Sequence, residues 1–308
     1  MKSALANDIA VFERGWLSSN NVLLHGRDGE GATLVDTSHC LHAEQSIALV
    51  RHALAPGEAL ARIVNTHLHS DHCGGNAALQ MAFGARIVIP PGDAAAVAHW
   101  DEEALSYRAT GQRMQRFVHD GLLRAGDTLA AGTRSWTAHA APGHDPHSLI
   151  LFDAADGVLI SADALWHNGF GVVFPELDGE QAFDDVAAVL DLIERLAPRW
   201  VIPGHGAPFS DVAAALQRAR SRLAAFAADP ARHARHGAKV LLRYHLLEER
   251  QQPLPLVLAW WQATPLALRV WQRLGRPETS AAAWARRLLD ELCVAGALVV
   301  REGVVHDL

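Results

Sequence analysis

The order of elements along this 308-residue chain predicts an α+β protein in which two β-sheets stack between layers of helices, followed by a smaller helical domain. Three observations carry the expectation. Short apolar runs at 9–12, 21–25 and 32–36, divided by turn residues such as Asp28-Gly29-Glu30-Gly31, read as an antiparallel meander. Helices and strands then alternate. A helix over 43–54 has apolar positions at Ile47, Leu49, Val50 and Leu54 and is stopped by Pro56-Gly57, and a strand follows at 62–65. Next come a helix over 76–83, a strand at 86–89 and a helix around 93–100. Strands return at 135–139, 149–153 and 158–161, ahead of an amphipathic helix over 181–196 and a buried strand at 200–202. The stretch 101–126, with Tyr107, Arg108, Arg113, Arg116 and His119 and no strand period, is expected to be a helical insertion that overhangs and shapes a pocket.

The third observation is charge. Residues 1–208 carry 13 Lys and Arg against 25 Asp and Glu, whereas residues 209–308 carry 14 against 9. The boundary predicts two domains, 1–208 and 209–308, the second basic enough to meet nucleic acid, an anionic substrate or the acidic first domain. Half the residues are hydrophobic, ample for a core of this length. No leader-like apolar stretch begins the chain and no uncharged run reaches membrane-spanning length, so a cytoplasmic protein without membrane contact is expected. Cys40, Cys73 and Cys293 are odd in number and far apart, which argues against a disulfide framework, and Cys73 is expected to be a small buried filler.

Chemistry concentrates after the strand at 62–65, in His67-Leu68-His69-Ser70-Asp71-His72 followed by Gly74-Gly75. Neutral imidazole and carboxylate are the ligands of zinc and similar ions. On a loop leaving a strand, His67 and His69 point to one side while Asp71 and His72 turn to the other, so one short segment serves two metal ions. Three later positions also sit at strand ends: Pro142-Gly143-His144, Ser161-Ala162-Asp163 and Pro203-Gly204-His205-Gly206. Each alone is an ordinary turn; the ordered set is specific.

Taken together these motifs resemble the metallo-β-lactamase-fold hydrolase superfamily over about residues 8–208, its glyoxalase II-like and endoribonuclease-like branches in particular. The resemblance implies an αββα four-layer sandwich and two divalent metal ions, zinc first, with iron or manganese accepted by the same ligands. By matching motif, His67, His69 and His144 would hold the first ion and Asp71, His72 and His205 the second, with Asp163 bridging. Ser-Ala-Asp stands here where the family usually has Gly-Asp. β-Lactamases of this fold lack the bridging aspartate, which counts against that activity. The implied mechanism uses a hydroxide shared by the two ions as nucleophile, with Asp71 as the catalytic residue that orients it and carries its proton. Five of the 18 histidines are thereby assigned; His139, His147 and His167 are given supporting or structural places. Trp100, Tyr107, Trp166, Asn168 and Phe174 are candidate pocket residues from their nearness to the motifs.

After a long helix over 212–228 the chain breaks at Asp229-Pro230 and reads as helices at 240–249, 255–262 and 280–295, with a closing hairpin over 297–308 turning at Glu302-Gly303. The pattern resembles a winged-helix module, which a branch of the same superfamily carries. It lacks a dense basic cluster, and Trp260, Trp261, Trp271 and Trp284 read as core or interface. Covering the active site, packing on the core or forming a homodimer is therefore favoured over nucleic-acid binding.

The reading is a dinuclear hydrolase of a small-molecule ester, thioester or lactone, since an acidic body resists polyanions. A phosphodiesterase or endoribonuclease acting on single-stranded RNA is the alternative. An iron-dependent persulfide dioxygenase is disfavoured because every second-site ligand is present. Glyoxalase II itself is disfavoured because its C-terminal glutathione-binding residues find no match.

Overall fold

The computed structural model describes residues 7–27, 29–274 and 280–308, so Asp28 of the first predicted turn and residues 1–6 lie outside it. Six strands form the first sheet in chain order: β1 (Ile9–Phe12), β2 (Asn21–Leu24), β3 (Ala32–Val35), β4 (Leu60–Val64), β5 (Arg86–Ile89) and β6 (Gly121–Leu122). The β1-β2-β3 part is antiparallel and β3 to β6 is parallel. The second sheet is built from β7 (Thr128–Ala131), β8 (Arg134–Ala140), β9 (Leu149–Asp153), β10 (Val158–Ala162) and β11 (Trp200–Pro203), ordered β11-β10-β9-β8-β7. Only the β10–β11 pair in it is parallel.

Alternation along the strands makes the layers. Val22, Leu24, Val35 and Val64 of the first sheet meet Trp136, Leu149, Leu151 and Ile160 of the second in one buried cluster. Their neighbours Leu23, Leu34, Ile63 and Ile87 point the other way, into a cluster shared with α1 (Ala43–Ala53), with α2 (Ser70–Cys73), with α3 (Asn76–Phe83) and with α4 (Ala94–His99). On the far face of the second sheet, Ile150, Leu159 and Val201 pack against a helical layer that follows the short α5 (Tyr107–Thr110) and α6 (Phe174–Asp178). That layer is α7 (Phe183–Leu196) and α8 (Val212–Ala228). The predicted sandwich of two sheets between helices is the observed one.

The helical insertion expected over 101–126 is not what forms. Only α5 is helical there, and the segment ends in β6, the edge strand of the first sheet. Gly111, left-handed at φ 69°, ends α5 after one turn, and Leu105, Tyr107 and Phe117 reach the helix-side core without a longer helix between them.

The break expected at Asp229-Pro230 does separate α8 from the next helix, but that helix begins at Pro230 and not at 240. Proline is tolerated at the first helical position, and the Asp229 carboxylate accepts from the Arg232 N–H at 3.2 Å, so the pair starts α9 (Pro230–Glu249), a 20-residue helix. β12 (Gln251–Pro253), α10 (Leu254–Ala263), α11 (Pro265–Leu274) and α12 (Ala281–Val294) follow, then the hairpin of β13 (Leu298–Arg301) and β14 (Val304–Asp307). α11 has no counterpart among the helices expected from the sequence, and its proline again sits at the helix start. Glu302 and Gly303, φ 50° and 78°, make the predicted hairpin turn, and β12 joins it in a three-stranded sheet ordered β12-β14-β13. These elements share a core around Leu242, Leu246, Trp261, Trp284 and Leu288 that Val172 and Leu177 also join, and Trp260 and Trp271 pack against it, in keeping with the core or interface place expected of the tryptophans. No helix among the described residues is long and apolar enough to cross a membrane.

A buried ion pair ties α9 to the sandwich. His39, at the start of the 3-10 turn Cys40–His42, has Nε2 2.9 Å from Glu248 Oε1, with both side chains buried. Burial disfavours the imidazolium, yet the contacts with Cys40 and Glu248 outweigh it and His39 is pushed up to about 9. Removing one partner of a buried pair strands the other charge, so Glu248→Ala is expected to cost about 3–5 kcal/mol. The stabilisation from the raised His39 is fully present below the unfolded-state value of about 6.5 and is lost as pH rises through about 9. Urea midpoints of the wild type and Glu248→Gln should therefore differ at about pH 6 and converge by about pH 10. A gap independent of pH would sink the assignment.

Candidate metal centre

The seven donors named from the sequence come together at strand ends. β4 delivers the loop carrying His67 and His69, β8 leads to His144, β10 to Asp163 and β11 to His205. His69 caps α2 in extended conformation, and its carbonyl accepts from the N–H groups of His72 at 2.9 Å and Cys73 at 3.1 Å. That single turn sends Asp71 and His72 away from His67 and His69. Two donor groups result: His67, His69 and His144 in one, and Asp71, His72, Asp163 and His205 in the other, each with one atom per residue within 4.8 Å of the rest. Asp163 reaches both, Oδ1 lying 3.3 Å from His72 Nε2 and Oδ2 3.3 Å from His144 Nε2.

Hydrogen bonds outside the cluster set which ring nitrogen faces it. His144 Nδ1 donates to the Val172 carbonyl at 2.6 Å, leaving Nε2 inward, and His72 Nδ1 lies 2.8 Å from Asp36 Oδ2. Asp36 also accepts from the Thr66 N–H at 2.9 Å and the Thr66 hydroxyl at 2.8 Å. Nε2 of His67 and of His72 are buried with no hydrogen-bond partner among the described residues. Among the buried polar atoms left without such a partner, these two belong to the donor residues. Burial is the first influence on His72 and lowers it, but Asp163, Asp36 and Asp71 outweigh it and raise His72 well above its usual range, so a cation there takes the place of its proton.

The electrostatics agree. Burial, reinforced by neighbouring histidines, holds His67 well below its usual range, and burial above all brings His69 and His144 down to about 4. Three neutral imidazoles are ready ligands at neutral pH. Burial works against the carboxylates, but His72 and His205 outweigh it and hold Asp71 down to about 2 and Asp163 well below its usual range. Gly204 keeps the cluster tight: a Cβ there would lie 2.2 Å from Asp163 Oδ1. Ala162 carries the strain of turning the chain into Asp163, with φ at 45°. Glycine takes that conformation freely, which explains the Gly-Asp usual in the family.

A cavity of about 740 Å³ opens onto His69, Asp71, His144, Asp163 and His205. Trp16 stacks on His205 with ring centroids 5.4 Å apart, Phe174 lies edge-on to His69 at 4.9 Å, and Trp166 and Phe209 continue the apolar wall. α9 closes one side with Val240, Leu241, Tyr244 and Leu247. The Tyr244 hydroxyl lies 2.9 Å from Ser70 Oγ, which donates to Gln112 Oε1 at 2.8 Å.

With this geometry in place, the family model described as the metallo-beta-lactamase superfamily matches residues 14–205. The chain belongs to the metallo-beta-lactamase superfamily. Among curated superfamily relatives, a hydroxyacylglutathione hydrolase of Bradyrhizobium sp. (strain ORS 278) is 32% identical over 171 residues, which is 55% of this chain and 56% of that protein. The chain thus spans about half the length of the curated relatives it matches. Solved structures show the fold along nearly the whole chain. A metallo-beta-lactamase family protein from Thermus thermophilus has TM-score 0.57 at 20% identity, covering 99% of this chain and 100% of that one. A beta-lactamase domain protein from Burkholderia ambifaria has TM-score 0.57 at 24% identity, covering 98% and 92%.

Of the pocket residues expected from sequence, Trp166, Asn168 and Phe174 line the cavity, joined by His167. Trp100 and Tyr107 do not. Trp100 packs on Tyr107 and Phe117 in the helix-side core, and the Tyr107 hydroxyl donates to the Leu68 carbonyl at 2.8 Å, bracing the ligand loop from behind. Cys73 is the expected buried filler, its thiol pushed up by burial. Gln112 alone of the 101–126 segment reaches the cavity. The sequence reading missed Trp16, Tyr244 and Asp36. Only Asp36 carried a local signal: like the ligands, it ends an apolar strand run.

Asp36 fixes the His72 ring, and partners of this kind typically govern metal affinity by about 10–100-fold. Asp36→Ala is expected to weaken retention of the second metal by that factor in a chelator competition, and an unchanged affinity would refute the orienting role. Gly204→Ala, which drives a methyl group into Asp163, is expected to act in the same direction.

Proposed function

We propose that this chain is a dinuclear metal-dependent hydrolase acting on small-molecule esters, thioesters or lactones. The observation that carries the reading is the pair of adjacent donor groups, linked through Asp163, facing one apolar cavity of small-molecule size. The curated relatives support it, since their names describe hydrolysis of an acylglutathione, a thioester.

His67, His69 and His144 would hold one cation and Asp71, His72 and His205 the other, with Asp163 within reach of both groups and zinc as the first choice. When bound, two divalent cations polarise a substrate carbonyl and make water acidic enough to react near neutral pH. Asp71 belongs to the donor set and also lines the cavity. Held ionised, it takes a proton at a carboxylate oxygen and returns it to the leaving group. Trp16, Trp166 and Phe174 exclude bulk water from the donors, and Asp36 keeps His72 in register. α9 completes the pocket wall, so the C-terminal module serves the active site here in preference to nucleic acid. Acidic residues 1–208 support a small substrate over RNA.

Metal content by mass spectrometry, with a panel of a thioester, a lactone, bis-p-nitrophenyl phosphate and short RNA, tests the proposal. Two metal equivalents are expected, with thioester or lactone turnover that falls at least about 100-fold in Asp71→Ala. Cleavage of phosphodiesters alone, or a single iron with persulfide oxidation, would overturn it.

A further inference from the structure

One charged group on the cavity wall has no partner. Arg222, on α8, is half-buried and lines the same cavity as the donors. Among the described residues no acceptor hydrogen-bonds to its guanidinium, and no carboxylate lies within 4.0 Å of it. Its neighbours are engaged. Arg218, one turn earlier, donates to the His167 carbonyl at 2.8 Å; Arg220 pairs with Asp191 at 2.6 Å and Glu194 at 2.7 Å; Arg243, across the cavity on α9, lies 3.6 Å from Asp307.

The backbone makes room for this guanidinium. Gly169, φ 124°, closes a tight turn with Trp166, and a Cβ there would come within 2.7 Å of an Arg222 nitrogen. The guanidinium therefore rests against bare backbone of the loop whose Trp166, His167 and Asn168 line the cavity. His236 on α9 faces the same corner. Burial, with Arg222 and Lys239 beside it, brings His236 down to about 4, so it is a neutral hydrogen-bonding group at neutral pH and adds no second charge.

A half-desolvated, uncompensated cation is costly unless something neutralises it. A guanidinium offers a planar fork of N–H donors that matches a carboxylate in two parallel bonds. A single free cation in an apolar cavity of an acidic domain suits one negative charge better than a polyphosphate. We infer that Arg222 anchors a substrate carboxylate, so that the favoured substrate is an ester or thioester with an apolar chain ending in a carboxylate remote from the scissile bond. This rests on the hydrolase reading for the scissile bond, and on Arg222 alone for the carboxylate.

Two measurements separate those dependencies. In the first, binding of 6-(benzylthio)hexanoate and of its primary amide to the metal-loaded protein is compared by calorimetry. Wild type is expected to bind the carboxylate roughly 10- to 100-fold more tightly than the amide. Arg222→Gln should abolish the difference and Arg222→Lys keep part of it, at unchanged metal content. Equal binding of carboxylate and amide, a preference that survives Arg222→Gln because the carboxylate sits on the metals, or a preference only for the matching phosphonate would each overturn the inference. In the second, kcat/KM is measured for a thioester with a terminal carboxylate and for its amide twin. The selectivity ratio should collapse towards one in Arg222→Gln, chiefly through KM, and a ratio unmoved would overturn the anchor. No hydrolysis of either thioester would count against the hydrolase reading, while the binding comparison still decides Arg222.

Discussion

Seven ionisable side chains are buried together at the strand ends, and the molecule has to make that collection electrically tolerable. It does so by division. Three imidazoles packed against one another cannot all be charged, so burial and mutual repulsion leave them neutral, with lone pairs facing inward. On the other side, two carboxylates stay ionised because His72 and His205 lie against them, and His72 is in turn held by Asp36. The Nε2 atom of His67, without a hydrogen-bond partner among the described residues, marks where the balance is left open for a cation. Strand positions, the turn of α2, the strained Ala162 and the bare Gly204 all serve that arrangement.

The parallel strands explain why such a cluster forms here. β3 and β4 run parallel in one sheet and β10 and β11 in the other, so Asp36, the His67–His72 loop, Asp163 and His205 all emerge from the ends of adjacent strands. Two sheets packed face to face bring those ends within reach of one another. The C-terminal helices then act on this centre from outside. α9 is long because Asp229-Pro230 starts it, and its length carries Val240, Tyr244 and Leu247 over the donors while Glu248 locks to His39. Several basic groups of that part of the chain are held in ion pairs, such as Arg235 and Lys239 with Glu291, whereas Arg222 on the cavity wall has none among the described residues.

Legibility followed locality. The strands and helices of the sandwich were readable because periods of 2 and 3.6 residues record which faces are buried, and the seven donors because ligand spacing within a loop and glycine at strand ends are local devices. What misled was equally local. Asp229-Pro230 does interrupt the helices, but its proline also starts one, so α9 begins at Pro230, ahead of the helix expected from 240; proline costs nothing at a helix start once the preceding turn is supplied. The polar 101–126 segment looked helical for want of a strand period and instead contributes one turn, an edge strand and Gln112.

By itself the sequence determined the sandwich, the residues that gather at its strand ends and the charge contrast between the two parts, because each follows from residues near one another in the chain. The tertiary structure alone decided which aromatic groups line the cavity beside the donors. Trp100 and Tyr107 lie close to the motifs in sequence yet face the helix-side core, whereas Trp16 and Tyr244 reach the donors from distant positions. Pocket walls are assembled from separate elements, and a partner's absence, as at Arg222, exists only once every neighbour is in place.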